Sequence, residues 1–319
     1  MKEIFIKKDD SGLRLDKFII KVFPSIPVSM VYRGIRLKRI KINGKRAAAE
    51  TFLKTGDSVA LYINDEFLAE KPDNQAYLHS KKSINVVYED ANIIIVNKEK
   101  GLICHSEDNT DADTLINRVL KYLVDKGEYE PSESLSFRPA LCNRIDRNTA
   151  GLVIAAKTAE SLRTVNALLK ENKITKKYLC AAFGYFEEKS ETKTAYLYKN
   201  ADRNRVYIED KKTKQNKTII TKYKVLEEKN GISLLDVELI TGRTHQIRAH
   251  LAYLGHPLLG DGKYGSESDN RKMGIKTQAL LSYKIKFSDK LPPPLEHLAG
   301  KSFETDTGEF YKLFERISG

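Results

Sequence analysis

Several features that would narrow the function of this chain at once are missing from it. There are three cysteines, Cys104, Cys142 and Cys180, and no two are close together. An odd, scattered set of this kind does not make a disulfide framework or a zinc site, and fits small reduced core residues. No run approaches the ~18 apolar residues of a membrane span. Residues 1–8, MKEIFIKK, lack the apolar stretch of a secretory signal, so a cytoplasmic protein without a membrane partner is expected. No Gly-x-x-x-x-Gly-Lys-Ser/Thr phosphate loop occurs, and the glycines of 260–265 are not read as one. His245, His250 and His256 lack the His-Glu-x-x-His form and are expected in helix packing or capping. The expected cofactor and metal content is therefore none.

What is present is positive charge. The formal net charge is +12, with a pI near 9.3. Residues 12–46 hold ten Lys or Arg and one acid, Asp16, a net of +9. Charge segregated in this way points to a polyanion, and nucleic acid is the default partner. With 41% hydrophobic and 31% charged residues over 319 positions, the chain is globular and long enough for two domains.

The basic stretch has a readable local plan. Leu15, Phe18, Ile19 and Val22 recur at helical spacing, and Pro24 and Pro27 stop that helix. Ser29 is the expected cap of a second helix over 30–38. A short strand at 40–42 runs into Asn43-Gly44, a tight-turn pair, and Gly56-Asp57 precedes a strand at 58–63. Residues 64–83 lose periodicity and read as a linker, with the boundary near residue 82. This N-terminal pattern (Arg14 to Phe18, a basic second helix, Ile42 to Lys45, Gly56 to Val59) resembles an S4 RNA-binding domain. The resemblance implies that Arg14, Lys17, Arg33, Arg36, Lys38, Arg39 and Lys45 face RNA.

Beyond the boundary, β-branched runs at 84–88 and 93–98 flank an acidic turn and read as a hairpin. His105 follows an apolar run and is read as structural. Thr114 and Thr158 are expected helix caps. Residues 176–184 form a strand with a basic start, and 187–217 read as a charged hairpin excursion. Strands follow at 218–226 and 232–240. Thr244 is the expected cap of a helix closed by Gly255, with Arg248 near its buried side. Between an apolar run at 139–142 and another at 152–156 lies the loop Asn143-Arg144-Ile145-Asp146-Arg147-Asn148-Thr149-Ala150-Gly151. A lone loop aspartate ordinarily caps its own turn. Here it stands between two arginines, in a loop pinned by two strands, where a rigid scaffold presents reactive groups.

The loop resembles the His-Arg-Leu-Asp-x-x-Thr-Ser-Gly signature of the RluA-type pseudouridine synthases, with Asn143, Ile145 and Ala150 replacing its His, Leu and Ser. Gly242-Arg243-Thr244-His245-Gln246-Ile247-Arg248-Ala249-His250 and Gly260-Asp261-Gly262-Lys263-Tyr264-Gly265 are similar to two further motifs of that family. The resemblance implies an α+β fold: an S4 domain and linker over 1–82, then a catalytic domain over 83–319 with a large mixed, mostly antiparallel sheet. It implies an isomerase that breaks the bond between uracil N1 and ribose C1′, turns the base, and joins C5 to C1′. Asp146 would be the carboxylate, acting at C1′ or on the 2′ proton. Arg248 would pair with it, Tyr178 would stack on uracil and later take the C5 proton, and Arg144 would fill the space of the extruded uridine. The expected substrate is ribosomal RNA and the expected state a monomer. The alternatives are transfer RNA and a non-catalytic S4-type assembly factor. A second catalytic carboxylate of the glycosidase kind is not evident in the sequence.

Overall fold

The computed structural model describes residues 1–69, 75–81, 83–106, 113–200, 202–203 and 205–319. The expected boundary at residue 82 lies outside them. The N-terminal unit holds β1 (Lys2–Phe5), α1 (Leu15–Val22), α2 (Val28–Arg36), β2 (Ile40–Ile42), β3 (Lys45–Arg46) and β4 (Ser58–Leu61). Its sheet runs β1-β4-β2-β3, all antiparallel. Leu15, Phe18, Ile19 and Val22 of α1 sit in one apolar core with Val31 and Ile35 of α2 and Val59 and Leu61 of β4. The second helix starts two residues earlier than its sequence suggests. Pro27, not Ser29, is its N-cap, and no side chain caps it. Asn43 and Gly44 both take positive φ, as a tight hairpin requires.

The segment read as a linker carries more order than its composition suggested. It makes short 3-10 turns at Asp65–Phe67 and Gln75–His79, and buries Leu68 and Tyr77. Leu68 belongs to the N-terminal core.

The rest of the chain is built on an eleven-stranded sheet. Its elements are β5 (Val86–Glu89), β6 (Ile93–Lys98), α3 (Leu115–Asp125), β7 (Ala140–Leu141), β8 (Ala150–Ala156), α4 (Ala159–Lys170), β9 (Ile174–Phe183), β10 (Ser190–Asn200), β11 (Arg205–Glu209), β12 (Lys217–Lys229) and β13 (Ile232–Leu239). These are followed by α5 (Gln246–Tyr253), α6 (Glu267–Lys272), β14 (Leu280–Phe287), β15 (Ser302–Glu304) and α7 (Gly308–Ser318). The order is β11-β10-β12-β13-β9-β14-β8-β6-β5, with β15 beside β14 and β7 beside β8. Among the described residues the one parallel pairing is β14 with β8. The charged segment at 187–217 does form a hairpin, β10 with β11, but not an excursion, because the hairpin extends the main sheet at its edge.

Both faces of the sheet are covered, and the sequence shows why. In β6, Ile94 and Val96 point into one core and Ile93 and Ile95 into the other. In β8, Val153 and Ala155 are divided from Leu152 and Ile154 in the same way. Continuous apolar runs are what strands buried on two sides need. Helices α3 and α5 cover the first face through Leu115, Val119, Leu123, Ile247 and Leu251. The second is covered by α4 and α7, through Val165, Leu168 and Phe314. Thr114 and Thr158 cap α3 and α4 as expected, accepting from Asn117 N and Ser161 N. Gly151 stands where β8 meets β14 with φ 115°, and a Cβ there would lie 2.1 Å from Ser282 O. Only glycine fits that approach.

Candidate active site

Asp146, Tyr178 and Arg248 converge on the α3/α5 face of the sheet from three distant parts of the chain. Asp146 sits in the loop between β7 and β8, Tyr178 on β9, and Arg248 on α5. The expected pairing of Arg248 with Asp146 is seen, with Nη1 donating to Asp146 Oδ2 at 2.7 Å. The guanidinium also has a second partner that the sequence reading did not assign. Its Nε and Nη2 donate to Asp261 Oδ2 and Oδ1 at 2.6 and 2.9 Å. Asp261 is fully buried, and its Oδ1 also accepts from Lys263 N at 2.9 Å and Tyr264 N at 3.1 Å. Burial alone would raise the Asp261 carboxyl, but the Arg248 guanidinium and the two amides outweigh it and hold the group low. Burial opposes the charge of Arg248 as well, and the bonds from Asp261 and then Asp146 reverse that and raise it. Asp261 thus fixes the plane of the guanidinium and leaves Nη1 to face Asp146. With 23% of its side chain exposed, Asp146 keeps a free edge toward solvent.

A histidine completes the surroundings. His245 Nε2 lies 4.0 Å from Asp146 Oδ1, and Nδ1 is 2.9 Å from the Tyr264 hydroxyl. That hydroxyl oxygen accepts from Val206 N at 3.1 Å. The contact with Tyr264 orients the ring so that Nε2 faces Asp146. Burial lowers the imidazole, the Asp146 charge only partly offsets this, and Arg248 and Lys263 add to it. His245 is itself the N-cap of α5, in the left-handed region at φ 53°, and not Thr244 as expected. Instead of a capping hydroxyl, Gln246 fixes the helix start. Its Oε1 accepts from Thr241 Oγ1 and Arg243 N, and its Nε2 donates to Ile220 O and Thr221 Oγ1. His250 bonds Thr221 Oγ1, and His256 stacks on Phe186 with ring centroids 3.8 Å apart. Both take the packing use expected from the sequence.

The Asp146 loop is pinned from below by a buried lysine that the sequence reading passed over. Lys98 ends β6, is 1% exposed, and donates to the carbonyls of Glu99, Leu102 and Arg147. Burial pushes its ammonium down to about 8, which leaves it protonated at neutral pH and able to donate three bonds. Gly101 N also donates to Arg147 O, and Cys104 Sγ to Ile145 O. The signal was available in the sequence as a lysine closing the apolar run Ile93–Lys98. Asn143, in place of the family's histidine, donates nothing to the acid. Its Oδ1 accepts from Ile154 N at 2.8 Å and stitches the loop to β8.

Tyr178 is 5% exposed and belongs to the main core. Burial pushes its phenol up to about 12; the Ser282 hydroxyl lowers it, and the Asp146 charge raises it. At neutral pH it is a hydroxyl and not a phenolate. Arg144 is exposed beside the loop. In the N-terminal unit, Lys17, Arg33, Arg36, Lys38, Arg39 and Lys45 are all exposed. Arg14 differs from them: it forks onto buried Asp16 at 3.1 and 2.9 Å and reaches Glu50 at 3.3 Å. Tyr32 also donates to Asp16, at 2.9 Å. Arg14 is thus partly neutralised within its own unit.

Gly260, Gly262 and Gly265 do stand in Gly-x-Gly-x-x-Gly spacing, which the sequence reading did not count. They follow helix α5 through a turn and lead into the six-residue α6, so the strand-to-helix setting of a dinucleotide loop is absent there. No group of three or more metal-ligating side chains occurs among the described residues. No helix among them is long and apolar enough to cross a membrane.

A family model for RNA pseudouridylate synthase matches residues 92–253, and an S4 domain model matches residues 13–59. An uncharacterized RNA pseudouridine synthase of Mycoplasma genitalium is 33% identical over 290 residues, which cover 89% of this chain and 88% of that one. The ribosomal large subunit pseudouridine synthase C of Vibrio parahaemolyticus is 31% identical over 288 residues, covering 88% and 87%. Among solved structures, human RNA pseudouridylate synthase domain containing 4 superposes with a TM-score of 0.56 over 76% of this chain and 95% of that one. At 18% identity, that likeness is one of fold.

Proposed function

Because the chain belongs to the RNA pseudouridylate synthase family, we propose that it isomerises uridine in ribosomal RNA, with Asp146 as the carboxylate that acts on the ribose. The observation that carries this reading is the Asp146–Arg248–Asp261 cluster: one guanidinium held by a buried acid and offered to a second, solvent-facing one. The Arg248 contact at 2.7 Å fixes where the Asp146 carboxyl points. The carboxylate either attacks C1′ or takes the C2′ proton, and in both cases the uracil leaves as an anion that must be kept in place. Tyr178 supplies the surface for that stacking. Its phenol, pushed up by burial, receives the C5 proton only while passing its own on, and in this reading Asp146, a carboxylate again once C5 has joined C1′, takes it. Arg144 would enter the space left by the flipped nucleotide, which offsets part of the few kcal/mol that unstacking costs.

Ribosomal RNA is favoured because relatives covering most of the chain carry large-subunit names and because the exposed cations of α2 suit a long structured RNA. We place the protein in the cytoplasm as a monomer. The replacements at 143 and 150 do not indicate lost chemistry, since Asn143 has a defined structural bond and the three chemical side chains are together.

The test is tritium release from C5-labelled large-subunit RNA by wild-type protein and by Asp146→Asn. Release by the wild type alone is expected, with RNA affinity of the two proteins within a few-fold. Turnover by Asp146→Asn would remove Asp146 from the chemistry. Mapping pseudouridine across ribosomal and transfer RNA of a deletion strain identifies the target, and a site lost only from transfer RNA would overturn the choice of substrate.

A further inference from the structure

The N-terminal unit meets the rest of the chain around one fully buried carboxylate. Asp10 closes the 3-10 turn Lys8–Asp10 and has no exposed surface. Its hydrogen bonds come from a single turn on the other side of the interface. Oδ1 accepts from Ser134 Oγ at 2.9 Å, Ser136 N at 2.7 Å and Ser136 Oγ at 2.6 Å, and Oδ2 accepts from Leu135 N at 3.3 Å. A carboxylate taken out of water is tolerated when donors meet its lone pairs, and it destabilises strongly when they do not. The bonds that meet these lone pairs exist only while the two units are docked.

The surrounding contacts reinforce this one. Leu135 packs against the N-terminal core. Asp9 Oδ1 accepts from Ala159 N, the first residue of α4, at 3.0 Å. Lys7 Nζ donates to Ser132 O at 3.0 Å, and Arg163 Nη1 donates to Ser11 O at 3.4 Å. These partners lie on two segments with a shared position in the chain. Residues 131–137 run into β7 and the Asp146 loop, and α4 follows β8, the strand that leaves that loop. The N-terminal unit therefore grips both arms of the loop that carries Asp146.

We infer that Asp10 is a positioning residue. It locks the basic face of α2 at a fixed distance and orientation from Asp146, so that one RNA is held at two places by one rigid body. The inference rests on the reading of RNA as substrate given above. Rigid linkage raises the effective concentration of the second contact once the first has formed, and loosening it lowers overall affinity without touching either contact.

The test uses Asp10→Ala in the full chain and has two arms. Without RNA, hydrogen exchange is followed at the amides of Leu135, Ser136 and Ala159, with Leu179 and Leu235 of the central sheet as controls. Exchange at the first three should quicken at least tenfold and the controls should not move. With C5-tritiated large-subunit RNA from a strain lacking the enzyme, KM should rise tenfold or more while kcat stays within twofold. Asp10→Asn keeps Oδ1, which takes three of the four bonds, and should restore most of both effects. Unchanged exchange at Leu135 and Ser136 would show that Asp10 does not hold the interface. Faster exchange with unchanged KM, or a loss confined to kcat, would show that the lock does not orient RNA. Wild-type protein inert toward this RNA would overturn the functional reading, and the exchange arm would still decide whether Asp10 holds the two units together.

Discussion

Replacing Arg248 by lysine keeps the charge and loses the fork. The guanidinium uses Nε and Nη2 on Asp261 and Nη1 on Asp146, a geometry that an ammonium on a flexible stem cannot reproduce. Turnover of Arg248→Lys should fall by ~10²-fold or more, the scale of losing one preorganised electrostatic contact, and melting should fall too, because fully buried Asp261 loses its two-point donor. Single-turnover kinetics measure this, and near wild-type rates would mean that the pair does not matter to the chemistry. Tyr178 belongs to the core and, in the proposed mechanism, to the site as well. Tyr178→Phe keeps the packing and should melt normally, bind RNA, and stall before the C5 proton is released. Tyr178→Ala should also lose ~3–5 kcal/mol of stability as a large-to-small core change. Normal tritium release by the Phe variant would sink the role of the hydroxyl. At this scale the Asp146–Arg248 pair was legible in the sequence and the groups that hold it were not. Asp146, Tyr178 and Arg248 stood in recognisable surroundings. Asp261 and Lys98 went unassigned because what marks them is burial with specific donors or acceptors, and linear spacing does not reveal burial.

Elements are joined here by polar clamps as well as by apolar faces. Glu89, at the end of β5, accepts from Tyr122 and Lys126 at the end of α3 and from Lys157 after β8. Burial would raise its carboxyl, but bonds from Lys157, Lys126 and Tyr122 prevail and hold it at about 2. A carboxyl lowered in the folded state adds stability that is present above its ordinary value near 4.5 and is lost as pH falls toward 2. Wild type should therefore melt above Glu89→Gln by the widest margin at neutral pH, and the margin should close between pH 4.5 and 2. A margin constant across that window would mean that the clamp contributes nothing through its charge. Helices α3 and α4 were legible because a threonine cap and a 3.6-residue apolar stripe are local signals. The starts of α2 and α5 were not. Pro27 supplies a preset φ in place of a hydroxyl, and His245 takes a left-handed turn that its neighbours stabilise. β10 and β11 do form the expected hairpin, but its pairing with β12 was missed because edge strands are charged on the exposed face and charge was taken for an excursion from the sheet.

At the scale of the whole molecule, the expected RNA surface is the basic face of α2 with its adjoining turn. Each phosphate neutralised releases condensed counterions, so affinity falls with salt by a slope of ~0.7–0.9 per contact. Arg33→Ala with Arg36→Ala should lower that slope by about 1–2, and Asp146→Asn should leave it alone. Equal slopes for wild type and the double variant, measured by filter binding, would take α2 off the RNA. The S4 unit and the mostly antiparallel sheet are what the family resemblance implied. The docking of the parts was not legible, because Asp10 lies more than a hundred positions from the turn it bonds.

Strand β14 lies between β9 and β8 in the sheet, yet it is made near the end of the chain. Until it arrives, the half of the sheet carrying Asp146 and the half carrying Tyr178 have no shared edge. Arg248 is itself synthesised 102 residues after Asp146, an interval of about 5–20 s at ordinary elongation rates of ~5–20 residues per second. The N-terminal unit can fold on the ribosome long before the Asp146–Arg248 pair exists. A nascent chain could thus hold RNA while still unable to modify it, and competence would switch on only when the last part of the sheet is made.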